Sequence, residues 1–179
     1  MNNRQVILLL AIFLLAGCGY HHPADRPAAT EMTAIHAATW ENRTNEAALE
    51  GHLLRKTADW LQQSPLLRLE ADPARADYLL SGTIEAVNNP ATAFNSGDRA
   101  TTLKAWVKVT YRLVEQPAGR TVWEINEVVR ERNYQAGDEA VRNRSNKEEA
   151  LAVIAGEVAE QIYLKILASL AEQAPKQTN

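Results

Sequence analysis

Two sets of residues in this chain carry unusual chemistry: a single cysteine, and cations arranged around a tryptophan. Cys18 is the only cysteine in 179 residues, so it can neither close an internal disulfide nor supply a cysteine-based zinc site, and its thiol needs another use. Lys104, Lys108 and Arg112 alternate with Trp106 on the polar side of a strand pattern, and Arg130 and Arg132 follow on the next strand. With adjacent strands about 4.8 Å apart, such cations can present a patch to an anionic ligand, with cation–π contact at Trp106. The histidines point less clearly. His21 and His22 are adjacent in an extended segment with no third ligand nearby, so no metal site is expected. His52 sits beside an apolar helical stripe as a boundary residue, and His36 can face either side of its strand. No Gly-rich phosphate loop, His-Glu-x-x-His helix or Gly-x-Ser-x-Gly turn is present, and no enzyme chemistry is expected.

The cysteine finds its use in what precedes it. An unbroken apolar run over residues 6–16 follows Arg4. As a helix it would reach only about 16 Å, half the hydrocarbon thickness of a bilayer, so it reads as a secretory signal peptide and not a span. Leu15-Ala16-Gly17-Cys18 resembles the bacterial lipobox at all four positions. That resemblance implies cleavage before Cys18, with a diacylglycerol on the thiol and an acyl chain on the new amino group; no other cofactor is expected. At about 0.8 kcal/mol per buried CH₂, several chains make a permanent anchor. Gly19 stands where an inner-membrane retention signal would place Asp, which implies the outer membrane. The expected organisation is a signal peptide over 1–17, a lipidated tether over 18–29, one domain over 30–175 and a tail over 176–179.

Composition fits one globular domain. The chain is 46% hydrophobic and 23% charged with net charge −3, which excludes collagen-like and disordered classes and disfavours nucleic acid as a partner. Within the domain, residues 32–40 read as a first strand. Asn42-Arg43-Thr44-Asn45 leads into a helix over 46–63, with Leu49, Leu53, Leu54, Thr57, Trp60 and Leu61 at three- and four-residue spacings. A short strand over 66–71 precedes a strand over 78–88 that carries Tyr78, Leu80, Gly82, Ile84 and Ala86 on one side. Residues 89–100 read as a loop. Residues 103–113 and 121–134 alternate as a hairpin about Pro117-Ala118-Gly119. A capping box at Ser145-Asn146-Lys147-Glu148 opens a last helix of about 28 residues, or roughly 42 Å. The fold class is therefore α+β, a mostly antiparallel sheet with two helices on one face and a polar second face.

That second face depends on register. Pairing Gln116 with Arg120 puts Arg112 opposite Glu124, Lys108 opposite Val128, Trp106 opposite Arg130 and Lys104 opposite Arg132. Five basic groups then meet one acid around the tryptophan. The same residues also fit a solvated sheet face. Glu127 and Glu131 fall on the apolar side in this register, for which a bulge or an exposed edge is the available explanation.

An ordered set of motifs resembles the LptE family of lipopolysaccharide-assembly lipoproteins. Cys18-Gly19-Tyr20-His21 resembles its mature start, Asn42-Arg43-Thr44 with Leu49-Glu50 its strand-to-helix entry, and the stretch from Ala76-Asp77-Tyr78 to Gly82-Thr83-Ile84 its second motif. Gly119-Arg120-Thr121-Val122-Trp123, Tyr134 and the alanine-rich terminal helix complete the set. The resemblance implies a non-enzymatic lipoprotein that plugs an LptD-type outer-membrane β-barrel, helps it fold and aids delivery of lipopolysaccharide (LPS). At the loop holding Phe94-Asn95, where relatives place a basic LPS contact, this chain has asparagine, so Arg99, Lys104 and Lys108 become the substitutes. Arg142 and Arg144, expected in the loop before the last helix, are secondary candidates. The competing expectation is a lipoprotein subunit of a different envelope secretion or trafficking complex.

Overall fold

The computed structural model describes residues 32–173. The signal peptide, the lipobox with Cys18, the tether with His21 and His22, and the tail lie outside the described residues. The elements follow in the order β1 (Thr33–Ala37), β2 (Glu41–Asn42), α1 (Ala47–Gln63), β3 (Leu67–Leu69), β4 (Tyr78–Asn88), β5 (Ala91–Phe94), β6 (Ala100–Glu115), β7 (Arg120–Gln135) and α2 (Ala140–Gln173). The protein is α+β: one mixed sheet carries both helices on one face. β1 runs parallel to β3 and β4, and β2 also runs parallel to β4. The long pairs β4–β6 and β6–β7, and the short β5–β6 pair, are antiparallel.

Local chemistry sets these boundaries. Asn42 Oδ1 accepts from the Thr44 backbone N–H at 2.9 Å, and Thr44 Oγ1 accepts from the Glu46 N–H at 3.2 Å. These two side-chain turns steer the chain from β2 into α1. Leu49, Leu53, Thr57 and Leu61 then bury one stripe of α1. The stripe of α2 that includes Leu151, Ile154, Val158, Ile162 and Ile166 buries beside it against the sheet. Lys147 meets Glu46 at 2.7 Å near the starts of the two helices, and Tyr163 stacks on Trp60 at 5.1 Å near the end of α1, so the helices run in the same direction. Burying each such Leu or Ile contributes about 1.5–3 kcal/mol.

An aromatic row fixes the middle of the sheet. Trp40 packs edge-on to Tyr111 at 6.3 Å, and Tyr111 edge-on to Trp123 at 6.0 Å. Trp40 lies so close over Gly82 that an added Cβ would sit 2.4 Å from its ring. The strand therefore needs glycine there to admit the indole.

Four expectations are corrected. The last helix begins at Ala140, so its 34 residues extend about 51 Å and Ser145-Glu148 lies inside it. Gly137 makes the early entry possible: a Cβ there would lie 2.5 Å from the Asn143 nitrogen. Arg142 and Arg144 are accordingly on the first turns of α2, not in a loop. Residues 89–100 are not all loop, because β5 pairs with the start of β6. The register shifts in β4 between Ile84 and Ala86, which turns Ala86 toward Lys108 on the polar face and Val87 toward Val107 in the core.

The largest correction concerns β7. The turn pairs Glu115, not Gln116, with Arg120, and an extra β7 residue at Val122 then brings Arg112 opposite Glu124 as expected; β7 carries a second extra residue between Ile125 and Val128, where Glu127 adopts φ +58°. Beyond it Lys108 faces Val129, Trp106 faces Glu131 and Lys104 faces Asn133. Because side chains alternate with period two, one inserted residue exchanges the faces of everything that follows. Arg130 and Arg132 therefore leave the polar face for the helix side, where Arg130 donates to Gln161 at 2.5 Å and Arg132 lies 3.9 Å from Glu157. Glu127 and Glu131 take their place.

Candidate functional site

The polar face of the sheet holds Lys104, Trp106, Lys108, Thr110 and Arg112 along β6. Its cations are largely paired. Lys104 meets Glu131 at 2.8 Å and Lys108 meets Glu127 at 2.5 Å, while Arg43 spans Glu41 at 3.0 Å and Glu85 at 2.9 Å. The hydrogen bond from Lys108 holds the Glu127 carboxyl below its ordinary range, and that from Arg43 does the same to Glu41. Four cations stand against five carboxylates once Arg112 and Glu124 are included. The expected patch of five basic groups around Trp106 is not assembled; of that set, Lys104, Lys108 and Arg112 share the face. Trp106 itself is half-buried.

A second region differs. At the end of the molecule where β5 turns into β6 and α2 begins, Phe94 is 60% exposed and Val141 80% exposed. Arg99 lies there too, 3.9 Å from Asp138 with both side chains largely in solvent. Arg142 and Arg144 are exposed and form no ion pair among the described residues. Arg144 also borders a depression of about 360 Å³ beside Asn89 and Tyr134, in which the buried Oδ1 of Asn89 has no hydrogen-bond partner among the described residues. Exposed apolar groups beside unpaired guanidinium groups suit an amphiphile with anionic headgroups, since guanidinium binds phosphate through forked charge-assisted hydrogen bonds.

Sequence reasoning named Arg99, Arg142 and Arg144 but missed Val141. Asp138-Glu139 ahead of Ala140 was the available signal, being acidic residues at a helix entry. It also misses the depression lined by Thr110, Glu124 and Asn126 among others, which lies beside the β7 irregularity that Glu127 and Glu131 betray. His36 Nδ1 lies 2.9 Å from the Glu70 carbonyl, and His52 lies within α1, half-buried at the edge of its apolar stripe, with its pKa lowered by burial and then by Arg55. Among the described residues no group of three potential metal ligands occurs, and no helix is long and apolar enough to cross a membrane.

Comparison with known proteins returns one family: the LptE model, described as lipopolysaccharide-assembly, matches residues 32–166. No curated protein matches. Among solved structures, a candidate lipoprotein from Caulobacter crescentus superposes with a TM-score of 0.55 at 21% identity, covering 76% of this chain and 90% of its own. The rare lipoprotein B from Shewanella oneidensis gives 0.54 at 10% identity, covering 77% and 97%. Lipoprotein B from Nitrosomonas europaea gives 0.53 at 11%, covering 83% and 91%. At these identities the likeness is one of fold.

Proposed function

The chain belongs to the LptE family of lipopolysaccharide-assembly lipoproteins, and from that premise we propose that it is a non-enzymatic subunit of the LPS transport machine. In this reading Cys18 carries a diacylglycerol and an N-acyl chain that hold the protein at the periplasmic face of the outer membrane. Residues 18–29 are the tether, and the domain over 30–175 occupies the lumen of an LptD-type β-barrel and assists its folding. Lipopolysaccharide is met at the tip, where Arg99, Arg142 and Arg144 contact its phosphates and Phe94 and Val141 its acyl chains.

The observation that carries the tip assignment is the coincidence there of the unpaired Arg142 and Arg144 guanidinium groups, beside the solvent-exposed Arg99–Asp138 pair, with exposed apolar side chains. Lys104 and Lys108 are poorer phosphate contacts than the sequence implied, because each already has a carboxylate. The reading is tested by affinity purification of tagged full-length lipoprotein from native outer membranes, followed by mass spectrometry. A stoichiometric LptD-type barrel is the expected result. Recovery of a different envelope secretion or trafficking complex without the barrel would overturn the partner assignment.

A further inference from the structure

Both neighbours of β6 bulge against the same stretch of it. The β4 shift falls at Val109–Lys108 and the β7 shift at Tyr111–Val109. Beside this double irregularity the polar face sinks into a depression of about 520 Å³, lined by Ser81, Thr83, Thr110, Arg112, Glu124 and Asn126 among others. Several of these groups are uncommitted. Arg112 uses only Nε, on Ser81 Oγ at 3.3 Å. The side chains of Thr110, Glu124 and Asn126 make no hydrogen bond or ion pair among the described residues.

The charge on this face disfavours the simplest ligand, an anion. Like charge on this face, five carboxylates to four cations, opposes phosphate. With Glu41, Glu85 and Arg43 tied to one another, the face's uncommitted groups are hydroxyls, an amide, the Arg112 guanidinium and the Glu124 carboxylate. A carboxylate can accept from two vicinal hydroxyls at once, and guanidinium nitrogens donate to hydroxyl or ring oxygens. Six residues along the same face of β6, about 20 Å away, Trp106 stands half-buried between Lys104 and Lys108. An indole on an otherwise polar face supplies an apolar platform for the C–H side of a sugar ring.

We infer that this face is a groove for a neutral polyhydroxylated ligand, an oligosaccharide lying along β6 with one ring on Trp106 and another held by Arg112 and Glu124. The groove is a different surface from the tip, so it stands whether or not the tip takes phosphate. Free oligosaccharide and the sugar of a glycolipid share this chemistry.

The test is calorimetric titration of full-length lipoprotein in detergent micelles. One arm uses a deacylated, dephosphorylated core oligosaccharide of hexoses and heptoses, a second the glycolipid bearing the same sugars, and a third inorganic phosphate. The oligosaccharide should bind saturably and phosphate should not displace it. Trp106→Ala and Glu124→Ala should each weaken it about tenfold, Trp106→Phe should retain most of the affinity, and Lys165→Ala on the exposed side of α2 should leave it unchanged. Equal affinity for the first two ligands identifies the free sugar as sufficient. Tighter glycolipid binding that falls in both Trp106→Ala and Arg142→Ala identifies the sugar as part of a glycolipid. Failure of the oligosaccharide to bind, displacement by phosphate, or affinity unchanged in both Trp106→Ala and Glu124→Ala would overturn the inference. Thermal melts of each variant separate lost binding from lost fold.

Discussion

The polar sheet face and the tip both carry cations, yet they differ in what those cations are free to do. On the face, Lys104, Lys108 and Arg43 are each within 3.0 Å of a carboxylate, so an incoming anion would have to compete with a partner already in place. At the tip, Arg142 and Arg144 have no such partner among the described residues and stand near exposed apolar side chains. Counting charges along a strand therefore misjudges a surface; what matters is which charges remain unspent after the backbone has chosen its register.

The largest effect is expected where the comparison has a common support. Gly82→Ala would force a Cβ to 2.4 Å from the Trp40 ring, and displacing that indole should cost about 1–3 kcal/mol. Thermal unfolding should show the loss, with tip and face functions declining together. A variant that weakened only one of them would mean the two regions do not share the aromatic row as their foundation.

Unmasking the face is the next test. Glu127→Gln combined with Glu131→Gln removes the partners of Lys108 and Lys104. The face should then gain phosphate binding, several-fold on titration with a phosphorylated glycolipid, while the tip is unchanged. No gain would mean that the ion pairs are not what silences these lysines.

A smaller effect should follow at the bulge itself. Glu127 holds φ +58°, a left-handed conformation that costs a non-glycine residue about 1–2 kcal/mol, whereas an exposed ion pair is worth about 0–1 kcal/mol. Glu127→Gly should therefore raise the denaturant midpoint slightly while freeing Lys108.

The smallest effect is in pH dependence. Lys108 keeps the folded Glu127 carboxyl below its ordinary value. The stabilisation is thus complete above the ordinary carboxylate pKa of about 4.3, and is lost as pH falls through the lower folded value. A carboxyl titration followed by NMR should place Glu127 below the ordinary glutamate range, and Lys108→Met should return it to that range.

Much of this fold is legible in the sequence because most elements obey a single period. Tyr78–Asn88 emerges with its boundaries, and the stripe of α1 does so within a residue, since apolar spacing and flanking Asn, Ser and Pro agree. The hairpin register is legible only where Leu113, Arg112 and Tyr111 face Trp123, Glu124 and Ile125; nearer the turn Glu115 takes the place expected of Gln116. Past Ile125, strict alternation cannot reveal an inserted residue, although Glu127 and Glu131 on a nominally apolar side mark its consequence. The start of α2 was hidden by a competing local signal, because Ser145 and Glu148 fit a capping box although Ala140 already begins the helix. The site suffered most, since whether Lys104 and Lys108 are paired depends on the register of a neighbouring strand. Arg142 and Arg144 were named without their setting, which only the earlier helix start provides.

The most direct test of the contrast between the two regions is the affinity of full-length lipoprotein for a phosphorylated diglucosamine glycolipid that lacks core sugars. Neutralising the tip by Arg99→Gln, Arg142→Gln and Arg144→Gln should weaken binding at least about tenfold, each lost charge-assisted hydrogen bond costing on the order of 1 kcal/mol or more. Lys104→Gln with Lys108→Gln should change it less than about twofold, as exposed, already paired charges contribute little. The reverse ranking, with the face variant crippled and the tip variant intact, would contradict the assignment of phosphate to the tip.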